Sequence, residues 1–408
     1  MNRLAVIADD LTGAMDTGLQ FSKHGLETLV SMSWHRLPDA EVVVIDTDTR
    51  DVPPSVARER VLATARALSG RVIYKKVDST MRGNVGIELC ALQEVLHARC
   101  VVVAPAYPPG GRTTLHGRQM VGGKPLEQTF FAHDPRWPMR ESHLPTLLMQ
   151  QTGREVGHIG LGDVVLGTEA LVSALRARPE PLMVVDALEQ SHLRTIAEAL
   201  VRLGSAWLPC GSAGLAEEWV DALGLPGTVA ASGRDRRAGP VLVVSASRNE
   251  VTVDQLRRAI KDCGLARVDV DPWCCQQPEE ETARLARACL AEMESGRDVI
   301  LAASFSPLVP GASGLVTQAL SGAAARVAAR QRLGGLFLTG GDVAIATCRA
   351  LGVEALCIAH EVQPGVPGGQ LVGGQHDGMW VVTKAGGFGD ERAVLDGLAY
   401  LHGAGCGP

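Results

Sequence analysis

The 408-residue chain carries 39 Lys and Arg against 45 Asp and Glu, a formal net charge of −6, which argues against a broad polyanion-binding face and excludes nucleic acid as the expected partner. Hydrophobic residues at 46 % with charged residues at 21 % exclude disorder over most of the length, and the chain is too long for one ordinary core and suits two. No apolar stretch approaches ~18 residues, and Asp9 and Asp10 interrupt the segment a signal peptide needs, so the expectation is a cytoplasmic protein without a membrane partner.

Short β-branched runs at 4–8, 42–45, 72–77, 101–104 and 182–185 predict strands, with helical patterns over 53–68, 84–97 and 189–203 between them. A second alternating series follows, with strands at 241–244, 299–303, 336–338 and 381–383 and helices over 250–262, 278–295 and 313–331. This alternation predicts an α/β fold of two α/β domains with largely parallel sheets. Gly, Pro, small and charged residues crowd 224–239, which sets the boundaries at 1–225 for the first domain, 226–239 for a linker and 240–408 for the second. Aromatic residues are 4 %, so the cores are expected to consist of Val, Leu, Ile and Ala. The ten Cys form no C-x-x-C pair and read as reduced thiols, with Cys100 and Cys357 on buried strands.

The loops after the first-half strands are polar. Asp9 and Asp10 follow the first strand, where an acid can bind a hydroxyl or act as a base, or simply cap a helix expected to begin after Ala14. Arg50 follows the second and offers a carboxylate clamp. Alternation along 72–77 puts Lys75 and Lys76 on opposite faces, so at most one of them can readily face a shared pocket. Asp78, Ser79, Thr80, Arg82 and Asn84 crowd the end of that strand; Arg82 there can hold a carboxylate through two parallel hydrogen bonds, and Ser or Thr can bind hydroxyls. The plain alternative makes Asp78 or Ser79 a helix cap and Arg82 a solvated side chain. A Pro-stiffened loop over 105–114 follows a fourth strand. Four polar loops after four apolar strands point to one shared cleft.

The second half carries glycine instead: Ser245-Ala246-Ser247, Thr339-Gly340-Gly341-Asp342 and Lys384-Ala385-Gly386-Gly387-Phe388-Gly389 each follow a strand. Glycine at a strand-to-helix turn admits phosphate oxygens to backbone N–H groups, where the helix dipole also favours them; close packing is the alternative reason for glycine. The usual P-loop, a Gly-x-Gly-x-x-Gly turn after the first strand, a Gly-x-Ser-x-Gly elbow and a His-Glu-x-x-His zinc motif are all absent.

Taken together, Ile-Ala-Asp-Asp-Leu-Thr-Gly-Ala at 7–14, Lys-Lys-Val-Asp-Ser-Thr-Met-Arg-Gly-Asn at 75–84, and the segments 105–113, 339–342 and 384–389 resemble the four-carbon acid sugar kinase family over nearly the whole chain. The resemblance implies ATP-dependent phosphorylation of the terminal hydroxyl of a four-carbon sugar acid. It also implies an N-terminal acid-sugar domain, a C-terminal nucleotide domain and an interdomain active-site cleft. On it, Asp10, Arg50, Asp78, Ser79, Thr80, Met81 and Arg82 face the acid, with Arg82 or Arg50 on its carboxylate. Ser245 or Ser247, Gly340, Gly341, Asp342, Val343 and Gly386 face ATP. Asp10 or Asp78 would orient or deprotonate the hydroxyl, Lys76 would neutralise phosphate charge, and Mg²⁺ is expected with ATP, not from a protein metal motif. The chain departs from the family at Ser245-Ala246-Ser247, where Gly-Ser-Cys-Ser or Ser-Gly-Ser is more usual, and at Val343, where many relatives carry Thr. D-threonate is the expected acceptor; D-erythronate, a 3-oxo-tetronate, or a non-catalytic sensor of nucleotide and sugar acid are the alternatives. The sequence carries no signal for oligomeric state.

Overall fold

Strands that are apolar on both faces need a sheet covered on both sides, and the first half of the chain builds one. The computed structural model of the protein describes residues 3–134, 136–225 and 238–403. The chain divides into two compact units, Met1–Val229 and Ala230–Pro408; the linker expected at 226–239 lies outside the described residues up to residue 237. The described strands of the first unit are β1 (Leu4–Ala8), β2 (Thr28–Ser31), β3 (Val42–Asp46), β4 (Val72–Lys76), β5 (Cys100–Ala104), β6 (Arg112–Leu115), β7 (Arg118–Val121), β8 (Lys124–Pro125), β9 (Val156–Ile159), β10 (Leu182–Val185) and β11 (Trp207–Gly211). Their sheet runs β2-β3-β1-β4-β11-β5-β10-β9 with every neighbour parallel. Strands β6, β7 and β8 form a separate antiparallel ribbon in the chain after β5.

The second unit contains β12 (Val241–Ser245), β13 (Ala266–Asp269), β14 (Val299–Ala302), β15 (Gly335–Thr339), β16 (Ala355–Gln363), β17 (Val366–Val372) and β18 (Trp380–Lys384). They are ordered β13-β14-β12-β15-β18-β17-β16, with the first five parallel and the last two antiparallel additions. In both units the chain leaves a central strand first to one side and later to the other. These reversals lie at β3-β1-β4 and at β14-β12-β15, and they mark where ligands bind at the carboxyl ends of open α/β sheets.

Several strands were not expected from the sequence. β11 contains Pro209, which lacks an N–H for the ladder; the strand pairs with β5 along its length, but its pairing to β4 starts only at Cys210. β17 contains Pro367, Gly368 and Gly369, and a side chain at Gly369 would collide with the Cys357 carbonyl of β16. Cys100 is buried on β5 as expected, whereas Cys357, on β16, is only half-buried. The aromatic residues, though few, cluster: Tyr74 and Phe21 pack on Trp219 at 5.5 and 6.3 Å between ring centroids, and Trp380 meets Tyr400 edge-on at 5.5 Å.

Candidate functional site

Parallel register brings the ends of three strands together in the first unit, since Ala8 lies beside Asp46 and Ile7 beside Lys75. The helix after β1 begins at Leu11, not after Ala14, because Asp10 is its N-cap: the backbone is extended there and Oδ1 accepts from Gly13 N at 3.0 Å. Asp10 is more than a cap. Arg50 Nη1 and Nη2 donate to its two oxygens at 2.9 and 2.8 Å, and Arg50 Nε donates to Asp9 Oδ2 at 2.7 Å. Burial would raise the Asp9 carboxyl, but Arg50, Lys75 and Lys76 outweigh it and hold it below the usual range. Its Oδ1 is buried without a hydrogen-bond partner.

After β4, the turn 78–84 folds tightly back on this cluster. Met81 is buried at φ +61° and Gly83 sits at φ +98°, where a side chain would meet Arg50 Cγ at 3.2 Å; the left-handed backbone is held by packing. Asp78 accepts from the Thr80 hydroxyl, from Arg82 Nε at 2.8 Å and from Arg82 Nη2 at 3.2 Å, while Arg82 Nη1 donates to Asp134 Oδ2 at 3.1 Å. Burial opposes the Asp78 charge, but Arg82 and Arg50 hold its carboxyl far below the ordinary range. Ser79 is half-buried and offers its carbonyl to Gln119 Nε2 at 2.6 Å; Asn84 Nδ2 fixes the neighbouring loop through Thr49 O and Val52 O. Both guanidiniums read as carboxylate clamps, Arg50 and Arg82, are thus paired with carboxylates of the protein itself.

Lys75 and Lys76 part company as strand alternation requires. Lys75 is fully buried and pairs with Glu88 at 2.6 Å. Burial works against its charge, but Glu88 and Asp9 outweigh it and keep the ammonium protonated. Lys76, 5 % exposed, lies on the other side at the first turn of the Leu11–Lys23 helix; a side chain at Gly13 would come within 2.6 Å of both Lys76 Nζ and Asp10 Oδ1. Asp10 and Lys76 therefore share one spot, and only glycine leaves it open.

In the second unit the three glycine or serine turns converge. Gly340 has φ +106° and is the N-cap of the Gly341–Ala350 helix. A side chain at Gly340 would stand 3.5 Å from Ser247 N, and one at Gly386 would stand 2.6 Å from Ser247 Oγ. Ser247 is thus the serine between the two glycine turns, whereas Ser245 is fully buried and bonds Ser304 Oγ at 2.6 Å. Val343 is also buried, so the fourth residue of its turn has a core side chain and can offer a ligand only its backbone. The unbonded N–H groups of a helix start, backed by the dipole, suit an anion such as a phosphate, and the missing Cβ atoms at 340 and 386 give it access.

The sequence reading missed what holds these turns. Lys384, 2 % exposed, donates to Ala385 O at 2.9 Å, Thr252 Oγ1 at 3.0 Å, Phe388 O at 3.1 Å and Gly386 O at 3.3 Å. Thr252 Oγ1 donates to Gly386 O at 2.6 Å, and Gln255 Nε2 to Asp390 O at 2.6 Å. Thr252 and Gln255 lie three apart on one helical face, a spacing visible in the sequence but silent until the loop it faces is known. Among the described residues no group of His, Cys, Asp and Glu could hold a metal, and no helix is long and apolar enough to cross a membrane.

Residues 4–219 match a family described as a sugar-binding N-terminal domain, and residues 242–394 one described as a nucleotide-binding C-terminal domain. The chain is 36 % identical to a D-threonate kinase of Salmonella typhimurium, with 99 % of this chain and 100 % of that one aligned. It is 31 % identical to a D-erythronate kinase of Heliobacterium modesticaldum, over 98 % and 97 %. Among solved structures, a Haemophilus influenzae protein of family DUF1537 superimposes with a TM-score of 0.75 at 25 % identity, covering 98 % of this chain and 99 % of the other.

Proposed function

Because the chain belongs to the four-carbon acid sugar kinase family, a family of ATP-dependent kinases, we propose that its acceptor is D-threonate and its product 4-phospho-D-threonate. The observation that carries this choice is the end-to-end alignment with a D-threonate kinase at 36 % identity; the alignment at 31 % with a D-erythronate kinase makes D-erythronate the second reading. In this proposal residues 1–225 bind the acid and 240–408 bind ATP, within the cytoplasm.

Asp10 receives the 4-hydroxyl. Its Oδ2 accepts one protein hydrogen bond, from Arg50 Nη1, and keeps capacity for a hydroxyl proton. Arg50 holds that carboxylate in place through Nη1 and Nη2, and the turn from Asp78 to Arg82 forms the wall of the acid pocket. Lys76, beside Asp10, neutralises charge on the transferred group. Ser247 and the backbone of Gly340, Gly341, Asp342, Val343 and Gly386 hold the phosphates, the fit being supported by the missing Cβ atoms around Ser247. Mg²⁺ comes with ATP and supplies charge neutralisation; the protein's own contribution is positioning. The regiochemistry is tested by phosphorus NMR of the product. Phosphate on C4 couples to two methylene protons, and a signal coupled to one proton contradicts the assignment.

Lys384 gives this reading a pH dependence. Burial pushes its ammonium down to about 7, so the charge that gathers the 385–388 carbonyls is complete below that pH and is lost as the pH rises through it. The KM for ATP is expected to rise roughly threefold or more between about pH 6 and about pH 8.5, and Lys384→Met to have a high KM with that dependence gone. A wild-type KM that stays level across this range contradicts the role given to Lys384.

A further inference from the structure

Three guanidiniums gather near Asp78, and one of them differs. Arg50 donates to Asp9 and Asp10, and Arg82 donates to Asp78 and Asp134. Arg112 pairs with no carboxylate among the described residues. Its Nη1 donates to the Gly110 carbonyl of its own turn, and its Nε is buried with no hydrogen-bond partner. The charges of Asp78 and Arg82 both reach it, and burial lowers its affinity for its proton.

The chain fixes Arg112 in this position. Tyr107 and Arg112 exchange backbone hydrogen bonds of 2.8 and 3.0 Å. Gly110 closes the turn beneath the side chain, where a Cβ would meet Tyr107 Cδ1 at 2.6 Å and Arg112 Nη1 at 2.9 Å. The ribbon that Arg112 opens is tied to the Asp78 turn, since Gln119 of β7 accepts from Thr114 Oγ1 at 2.6 Å and donates to Ser79 O at 2.6 Å. A half-buried guanidinium held in one place beside a substrate pocket, with its Nε donor unspent and no carboxylate paired to it among the described residues, is built to receive an anion.

We propose that Arg112 takes the carboxylate of the sugar acid, and is the residue by which the site distinguishes an acid from a neutral sugar of the same length. The proposal rests on the reading that the first unit binds the acid. It moves the carboxylate clamp from Arg50 and Arg82, whose donors serve carboxylates of the protein, to the guanidinium that pairs with no carboxylate among the described residues.

The test uses the full-length enzyme with D-threonate and its uncharged amide as acceptors. Wild-type turnover of the acid is measured first; a wild type that phosphorylates a different four-carbon acid carries the same test with that acid and its amide. Turnover of no four-carbon acid contradicts the proposed function and this assignment with it. Arg112→Gln is expected to raise the KM for the acid about 10- to 100-fold, the range of a lost charged hydrogen-bonding pair. The KM for ATP should stay within about twofold, and the preference for acid over amide should disappear. Arg112→Lys, with a point charge and no planar fork, should recover part of that preference. An acid KM within about twofold of wild type in Arg112→Gln, or an equal rise for acid and amide, overturns the proposal. If Arg112→Gln does not fold, Arg112→Lys decides alone: it should lose affinity for the acid several-fold and for the amide hardly at all, and equal losses overturn the proposal.

Discussion

Asp10→Asn is expected to lower kcat about 100- to 10,000-fold, the range typical of removing a positioned proton acceptor, while the protein stays folded. Asparagine caps a helix about as well as aspartate, so the Leu11–Lys23 helix should keep its start, and Arg50 retains Asp9 through Nε at 2.7 Å. What is lost is the negative charge beside Lys76 and the oxygen able to accept a proton from the 4-hydroxyl. The KM for ATP should change little. Steady-state kinetics with a melting curve as control check this. A kcat within about tenfold of wild type would move the proton acceptor elsewhere, with Asp9 the next candidate because its Oδ1 is buried and unpartnered.

Glu88→Ala is expected to be the most damaging change to stability outside the apolar core. Glu88 and Lys75 are 1 % and 0 % exposed and 2.6 Å apart. Removing the carboxylate leaves a buried ammonium with Asp9 as its remaining counter-charge, and breaking such a pair costs about 3–5 kcal/mol of a total that is typically about 5–15 kcal/mol. The double change Lys75→Met with Glu88→Leu should recover most of the loss, because apolar residues of similar volume often replace a buried pair at no cost. Chemical denaturation of the three proteins reads this directly. A loss under about 1 kcal/mol for Glu88→Ala would mean that the pair is wetter than its burial implies.

The outline of the candidate site was legible because its residues stand at strand ends, and strand ends are what hydrophobic alternation locates best. Asp10, Arg50 and the turn from Asp78 to Arg82 follow β1, β3 and β4, three neighbours in the sheet. The alternation argument also separated Lys75 from Lys76 correctly, one going to Glu88 and the other to the first turn of a helix. Ser247, Gly340 and Gly386 come from turns more than 40 residues apart in sequence, yet each was marked by glycine or serine after an apolar run, and the structure joins them.

The partners of those residues were not legible. Asp134, which completes the hold on Arg82, lies in an irregular segment with no period to place it. Arg112 sits after Pro-Pro-Gly-Gly and opens a ribbon of short polar strands, so neither strand alternation nor helix periodicity marks it. That no carboxylate among the described residues pairs with it is a property of three dimensions. Lys384 heads a segment marked in the sequence by its glycines alone, and it is enclosed by carbonyls of the loop that follows. For Lys384 and Arg112 the decisive feature is contact with backbone or the absence of a paired carboxylate, and for Asp134 it is a partner 52 residues away; side-chain pattern along the chain encodes none of these.

The chain is expected to phosphorylate four-carbon sugar acids, D-threonate best, and ADP release with D-threonate, D-erythronate and 3-oxo-tetronate as acceptors, each with ATP and Mg²⁺, measures this. The expected result is turnover with D-threonate at the highest kcat/KM of the panel. A higher value for D-erythronate would reassign the acceptor within the family, and ATP binding with no ADP release from any of the acids would contradict a kinase acting on four-carbon sugar acids.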